Sequence, residues 1–218
     1  MNFLDSVFSK IDSNCISGFT DELKVQYISY LAKIKNGNIV VLTSSLYVAA
    51  KFYNMISLYN SNCYFFPMDD FVSSVLTTAS PDLMVKRLDT LSHIASEKSN
   101  IIVTNLYGFL KYLPSREQIS NMDISLKVGD VIERSAFEKK LFDIGYNKTS
   151  IVTSTGEYAV RGYIVDIFPY HFDNPVRFEF FGNEIESIKM FDSDSQLSIN
   201  NIDGIIIKPF KEILFDDN

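Results

Sequence analysis

The fold class that this 218-residue chain predicts is α/β: a parallel sheet with flanking helices, into which an α+β module of antiparallel strands is inserted. In the first half, short apolar runs alternate with helical patterns, as expected of a parallel sheet covered by helices. In the second half, strand-like segments follow one another with turn residues between them, which favours hairpins. We place the domains at about residues 1–115, 116–194 and 195–218.

The first domain is predicted from three strands and three helices. Short runs rich in β-branched or aromatic residues predict buried strands at 38–43 ("NIVVLT"), 63–67 ("CYFFP") and 100–105 ("NIIVTN"). The helical patterns each open on Ser or Thr, which suits an N-cap, and cover residues 20–35, 44–60 and 80–96.

The second domain begins with one helix, at 134–145, which ends at Gly145. Strand-like segments follow, among them 157–170, 175–181 and 184–191. In "PVRFEFF" the alternation puts Val176, Phe178 and Phe180 on one face, and Arg177, Glu179 and Phe181 on the other. The last apolar run, within 204–214, is predicted to return to the first sheet as a further strand, which would make residues 116–194 an insertion.

The composition limits the function classes. With 46% apolar residues the chain can form a packed core, and its net charge of −7 includes no Lys/Arg-rich run, so autonomous DNA binding is disfavoured. No apolar run is long enough for a membrane span, and the start does not resemble a secretory signal. Cys15 and Cys63 lie far apart and are predicted to be buried free thiols of a cytoplasmic protein.

One stretch resembles a phosphate loop, whose pattern is G-x-x-x-x-G-K-S/T. "GFTDELKV" supplies Gly18 and Lys24, but Leu23 stands in place of the second Gly and Val25 in place of the hydroxyl residue. A hydroxyl residue there would hold Mg²⁺, and Asp21 and Glu22 would repel a triphosphate. We therefore predict a helix start capped at Thr20, and no nucleotide cofactor.

No other residue pattern indicates catalysis or a metal site. Asp69 and Asp70 have no further acid or histidine at ligand spacing, which favours a loop or a helix cap. His93 and His171 are isolated from each other. No nucleophile motif is present. The sequence predicts neither an enzyme nor a cofactor.

The outward face of the predicted antiparallel sheet is the remaining candidate site. Arg177, Glu179 and Phe181 alternate outward, and Arg161 lies in a neighbouring strand. A mixed charged and aromatic face is typical of a protein–protein interface. A plain packed sheet with a solvated Arg161 is the alternative.

The same region carries a resemblance to a known family. The residues "GEYAVRGYIVDIFP" (156–169), "RFEFFGNEIESIKMFD" (177–192) and "SDSQ" (193–196) resemble the transcription-repair coupling factors (Mfd), in the amino-terminal module that is similar to the excision-repair helicase UvrB. Upstream stretches, residues 66–91 and 137–146, also fit that family. The resemblance covers nearly the whole chain.

The resemblance implies a degenerate phosphate loop at Gly18, Thr20 and Lys24, in a helicase-like domain whose site is inactive. It also implies that the inserted module binds the damage-recognition protein UvrA. The residues carried over for that contact are Arg161, Arg177, Glu179 and Phe180, with Phe181 as a rival for the aromatic position. Many relatives have Arg where this chain has Asn147, which weakens one charge contact or shifts it to Lys148.

The function implied is an adaptor that recruits UvrA to stalled RNA polymerase, without ATPase activity of its own. Polymerase and DNA would be bound only by absent parts of a longer parent, of which we expect this chain to be a fragment. A contact with the parent's carboxy-terminal domain is also implied. The alternatives are a UvrB-type nucleotide-binding helicase domain and a direct DNA-binding module.

Overall fold

The computed structural model describes residues 3–70, 81–94 and 100–212. The chain divides into two compact units, Met1–Tyr112 and Leu113–Asn218.

The first unit holds a three-stranded parallel sheet. Its strands are β1 (Ile39–Thr43), β2 (Cys63–Phe66) and β3 (Ile101–Asn105), in the order β1-β3-β2. The helices of this unit are α1 (Phe3–Phe8), α2 (Asp21–Ile34), α3 (Leu46–Ser57), α4 (Pro81–Ile94) and the short α5 (Leu106–Phe109). The predicted parallel sheet is confirmed, with strand ends within one residue of the predicted ones.

Helices cover both faces of this sheet. Phe65 and Tyr64 are neighbours in β2, so their side chains point to opposite faces. The Phe65 ring stacks on Tyr53 of α3 with 5.1 Å between ring centroids, while Tyr64 stacks on His93 of α4 at 4.3 Å. The core on the α3 side is apolar, and Val41 of β1 packs against it. Its buried residues come from α2, α3, β2 and β3: Val25, Ala49, Phe52, Ile56, Cys63, Phe65, Ile101 and Val103.

The second unit is built on a six-stranded sheet with the order β10-β9-β8-β7-β6-β5. Its strands are β5 (Asn147–Lys148), β6 (Glu157–Arg161), β7 (Ile164–Ile167), β8 (Val176–Phe181), β9 (Glu184–Phe191) and β10 (Ser198–Asn201). Neighbours from β6 to β10 are antiparallel, and β5 pairs parallel with β6. The remaining elements are α6 (Arg116–Ser120), β4 (Ile124–Lys127), α7 (Arg134–Asp143) and β11 (Gly204–Ile207).

One face of the six-stranded sheet is buried under α7. Phe137 of α7 meets Phe178 of β8 edge to face, with 5.2 Å between ring centroids. Both side chains are fully buried, as is Leu141 one turn further along α7. The helix ends as predicted: Gly145 adopts φ +97°, a left-handed conformation that glycine tolerates best.

The last strand corrects one prediction. We expected residues within 204–214 to return to the first sheet, but β11 pairs antiparallel with β4, from Gly204 opposite Lys127 to Ile207 opposite Ile124. The apolar character of "GIII" is satisfied there, since Ile205 and Ile207 are both buried. The domain boundaries at 115 and 194 stay predictions.

The described helices are all too short or too polar to cross a membrane.

Candidate protein-binding surface

The face of the six-stranded sheet opposite α7 carries most of the predicted site residues. Residues that pair across neighbouring strands share a face, so the strand register sorts this surface into rows. One row combines a carboxylate with basic residues: Ala159, Asp166, Arg177 and Lys189. The next row contains Arg161, Ile164, Glu179 and Ser187. A third, at the turn end of the sheet, contains Phe181, Glu184 and Val131. We call Arg161, Asp166, Arg177, Glu179 and Lys189 the charged face.

Asp166 lies at the centre of the charged face and is completely buried. Arg177 donates from Nε to Oδ1 of Asp166 at 2.7 Å, and from Nη2 to Oδ2 at 3.0 Å. Arg161 donates from Nη2 to the same Oδ2. A buried carboxylate requires such partners, because an unpaired charge in a dry environment is strongly unfavourable. Two guanidinium groups are therefore tied to one acid.

The two arginines differ in what else holds them. The Arg177 guanidinium lies over the Phe191 ring at 4.4 Å and reaches Gln196, and only 14% of its side chain is exposed. Arg161 keeps 43% of its side chain exposed. The hydrogen bonds that Arg177 donates to Asp166 raise the pKa of Arg177, so its guanidinium stays charged. Arg161 is thus the more accessible positive charge.

Glu179 is held by its cross-strand neighbours. Its Oε2 accepts from Nζ of Lys189 and from Oγ of Ser187, each at 2.6 Å. These bonds, the one from Lys189 first, lower the pKa of Glu179. Because the acid and Lys189 neutralise each other, the arginines around Asp166 supply the net positive charge of the charged face.

The two phenylalanines at the end of β8 point in opposite directions. Phe180 is 4% exposed and packs near Phe137 in the core, whereas Phe181 is 77% exposed. The alternation of side chains along a strand explains the difference. Of the two candidates for the aromatic contact, only Phe181 presents its ring on the surface; Phe180 is corrected to a core residue.

Asn147 lies in β5, the edge strand beside β6, and is exposed. Its neighbour Lys148 forms an ion pair with Glu138 of α7, which raises the pKa of Lys148. A shift of the charge contact from position 147 to Lys148 would therefore have to break an existing ion pair. Asn147 itself brings no charge.

Sequence reasoning missed several residues at the end of the sheet where the turns after β6 and β8 lie. Tyr163 is exposed in the turn between β6 and β7, and the Arg134 guanidinium lies over its ring at 4.8 Å. Arg134 also donates to the carbonyl of Gly162. Val131 is exposed beside Glu184. A long-range bridge brings Val131 there, so no local pattern signalled it.

The helix start that resembles a phosphate loop has a different geometry. Thr20 caps α2, its Oγ1 accepting from the Leu23 amide at 3.4 Å. Gly18 adopts φ +82° with open space around it. Residues 3–20 contain α1 but no strand, whereas a working phosphate loop follows one directly.

The lysine of that stretch is already paired. Lys24 contacts Asp21 at 2.8 Å, and Lys51 of α3 contacts the other oxygen of Asp21, also at 2.8 Å. Hydrogen bonds from Lys24 and then Lys51 lower the pKa of Asp21 to about 2. Val25, where a phosphate loop carries its metal-binding hydroxyl, is buried in the core.

The other polar candidates are structural. Asp70 accepts from the Leu46 amide at the start of α3 at 2.9 Å and from Asn105 at 2.8 Å, so it acts as a helix cap. His93 contacts the Asp89 carbonyl at 2.8 Å, and His171 the Ile206 carbonyl at 2.9 Å.

The two cysteines differ in their exposure. Cys63 is buried, as predicted, and burial raises the pKa of its thiol to about 12. Cys15 is exposed, contrary to the prediction.

Comparisons with known proteins match nearly the whole of this chain. Residues 124–213 match the family model of the UvrB interaction domain. The chain is 29% identical over 215 residues to the transcription-repair-coupling factor of Bacillus subtilis (strain 168), which covers 98% of this chain and 18% of the relative. It is 33% identical over 206 residues to that of Staphylococcus aureus (strain bovine RF122 / ET3-1), covering 94% of this chain and again 18% of the relative.

The chain spans less than a fifth of the length of these relatives. The match nevertheless includes both units, and the UvrB interaction domain contains the whole charged face. The resemblance to the coupling factor family is thereby confirmed: this chain is homologous to one segment of the transcription-repair-coupling factors.

Proposed function

We propose that this chain is an adaptor that binds UvrA through the charged face and Phe181, and that it serves to recruit UvrA to stalled RNA polymerase. The observation that carries the proposal is the position of Arg161 and Arg177, which contact Asp166 on the face opposite α7 of a sheet that matches the UvrB interaction domain. Polymerase and DNA would be bound by other parts of a longer protein.

The chemistry of the surface supports protein binding. Interfaces favour exposed aromatic residues and arginines at their centre, surrounded by polar groups. Here Phe181 is exposed next to a row that contains Arg161 and Glu179. The arginines bring local positive charge to a chain whose net charge is −7. The same surface would be available to the carboxy-terminal domain of a longer parent protein.

We further propose that the helix start at Thr20 is a degenerate phosphate loop without nucleotide affinity. Lys24 is paired with Asp21, and the loop lacks both the second glycine and the hydroxyl residue. The chain then has no ATPase activity of its own. The alternative, a UvrB-type nucleotide-binding helicase domain, requires that Lys24 leave Asp21 for a phosphate.

Titration calorimetry of the chain against UvrA tests the adaptor. We expect saturable binding, which Arg161→Ala weakens at least tenfold, or about 1.4 kcal/mol. Lys33→Ala is the matched control, because it removes one exposed positive charge from α2 in the other unit. An equal loss in both variants would mean that net charge alone drives binding, and no binding at tens of micromolar would overturn the adaptor.

A thermal-shift measurement with ATP and Mg²⁺ tests the alternative function. A ligand at 100 times its dissociation constant stabilises a protein by about 2.7 kcal/mol, which a melting curve resolves readily. We expect the melting temperature to stay unchanged up to millimolar ATP. A saturable rise that Lys24→Ala abolishes would favour the helicase-type domain instead.

A further inference from the structure

Asp166 is buried in β7, where it contacts the exposed Arg161 and the largely buried Arg177, and this arrangement has a consequence for recognition. We propose that Asp166 is a positioning residue: it fixes Arg161 in the orientation in which this side chain meets an acidic group of the partner. The inference rests on the proposed function for the identity of the partner, UvrA.

The geometry shows how Asp166 orients both bases. Its two oxygens lie between β6 and β8 at the register positions Ala159 and Arg177. Arg177 occupies them through a two-pronged contact, Nε to Oδ1 and Nη2 to Oδ2. Arg161 lies in the neighbouring row, with Ile164 and Glu179, and contacts Asp166 only through Nη2. One carboxylate therefore sets the direction of two guanidinium planes.

Arg161 has donors to spare. Among the described residues, its Nε and Nη1 have no acceptor, and 43% of the side chain is exposed. Two guanidinium charges against one carboxylate leave one positive charge. A carboxylate of the partner fits this edge, because a guanidinium donates two parallel hydrogen bonds to a carboxylate.

We expect a gain in binding affinity because the Arg161 side chain is already ordered before the partner binds. A free arginine loses rotamer freedom when a partner immobilises it, and a side chain that is already fixed avoids that cost. Without the acid, the two guanidinium groups repel each other and Arg161 turns to solvent. Alanine at Ala159, directly opposite Asp166, leaves room for the arginines to meet the carboxylate.

The first test does not need a partner. The Nε–Hε signals of Arg161 and Arg177, assigned by nuclear magnetic resonance in the whole chain, report how ordered each guanidinium is. We expect both guanidinium groups to be ordered in the chain without substitutions. In Asp166→Asn, which keeps the size of the side chain but removes its charge, we expect the Arg161 guanidinium to become disordered. Arg177→Ala, the control, should leave Arg161 ordered. An Arg161 that stays ordered in Asp166→Asn would overturn the proposal.

The second test uses UvrA. Asp166→Asn should weaken binding at least tenfold, but less than threefold when it is added to Arg161→Ala, because the acid acts through that arginine. Equal losses in both backgrounds would mean that Asp166 only supports the fold. If the chain without substitutions does not bind UvrA, the adaptor function is wrong. The ordering of the Arg161 guanidinium, measured by nuclear magnetic resonance, would still decide the role of Asp166.

Should Asp166→Asn not fold, the double variant Asp166→Ala/Arg177→Ala removes one acid together with one base. Arg161 remains as the reporter in that background. Its disorder there, compared with its order in Arg177→Ala alone, supports the proposal, and equal order in both contradicts it.

Discussion

At the scale of single residues, Phe180 and Phe181 are chain neighbours in very different surroundings. The first contributes to the core under α7, and the second stands on the surface beside the row of Arg161 and Glu179. A substitution at either position removes the same atoms. Only their surroundings differ, so the pair separates stability from binding.

We predict that Phe180→Ala lowers the free energy of unfolding by about 3–5 kcal/mol, the usual cost of emptying a buried aromatic site. Phe181→Ala should change it by less than about 0.5 kcal/mol, as exposed substitutions do. Urea unfolding measures both. Calorimetry with UvrA should show the reverse order, with Phe181→Ala weakening binding by tenfold or more. A destabilised Phe181→Ala would contradict the proposed exposed ring.

A second prediction at this scale concerns Asp21. Lys24 and Lys51 hold its pKa at about 2, below the ordinary value of 3.8. A depressed pKa of an acid stabilises the folded state above the unfolded pKa, and this contribution is lost as the pH falls from about 4 through about 2. A carbon-detected titration of the Asp21 carboxyl should show the low pKa. It should rise toward 3.8 in Lys24→Ala, whereas Lys33→Ala should leave it unchanged.

At the scale of elements, Gly156 lies directly before β6 and close to Phe210. It has φ +86°, and a Cβ at this position would lie 2.1 Å from the Phe210 ring. Phe210 in turn donates its amide to the Ile144 carbonyl at 2.7 Å, after the end of α7. The contact between Gly156 and Phe210 thus packs the segment after β11 against the residue that precedes β6.

We predict that Gly156→Ala lowers the free energy of unfolding by about 2–4 kcal/mol, combining a left-handed backbone with an overpacked ring. Gly162→Ala is the control, because its φ is +58° but nothing lies within 4 Å of the added carbon. That variant should cost only about 1 kcal/mol. Equal losses, measured by urea unfolding, would mean that the backbone alone matters and Phe210 moves aside.

Sequence patterns within a short stretch correctly predicted those helices and strands that depend on neighbouring residues alone. The alternation of "VRFEFF" gave both faces of β8, and Thr20 before two acids gave the start of α2. The partner of β11 could not be found in this way, because "GIII" suits any buried strand and pairs with residues about 80 positions earlier. Pairing at that distance is a property of the whole fold.

The candidate site was predictable in part for the same reason. Arg161, Arg177 and Glu179 were named from strand alternation and the resemblance, and the alternation also made Phe181 a rival of Phe180. Asp166 was overlooked, although "YIVDIFP" places one acid within an apolar strand, which is a signal that it needs a basic partner. Which bases it meets depends on the register of three strands.

At the scale of the whole molecule, the second unit has its own core and contains the complete charged face. We predict that residues 113–218 fold alone, and that they bind UvrA with an affinity within about threefold of that of the full chain. Circular dichroism and calorimetry on this fragment test both points. A folded fragment that binds more than tenfold more weakly would place part of the surface in residues 1–112.

The charge of the whole chain leads to a further expectation. Nucleic-acid affinity depends on neutralising phosphates with basic groups, and this chain carries 27 acidic against 20 basic residues. We expect no binding of a labelled DNA duplex at 50 mM salt in fluorescence anisotropy. Saturable binding that weakens steeply with added salt would favour the DNA-binding module instead.

Asp21 also bears on how the start of α2 could change. A carboxylate held 2.8 Å from Lys24 competes with soluble phosphate as a tethered ligand, with an effective concentration on the order of millimolar. Replacing Leu23 by glycine and Val25 by threonine would therefore restore the sequence pattern of a phosphate loop, but Lys24 would still be paired with Asp21. Nucleotide binding at this helix start would first require the replacement of Asp21, the internal competitor.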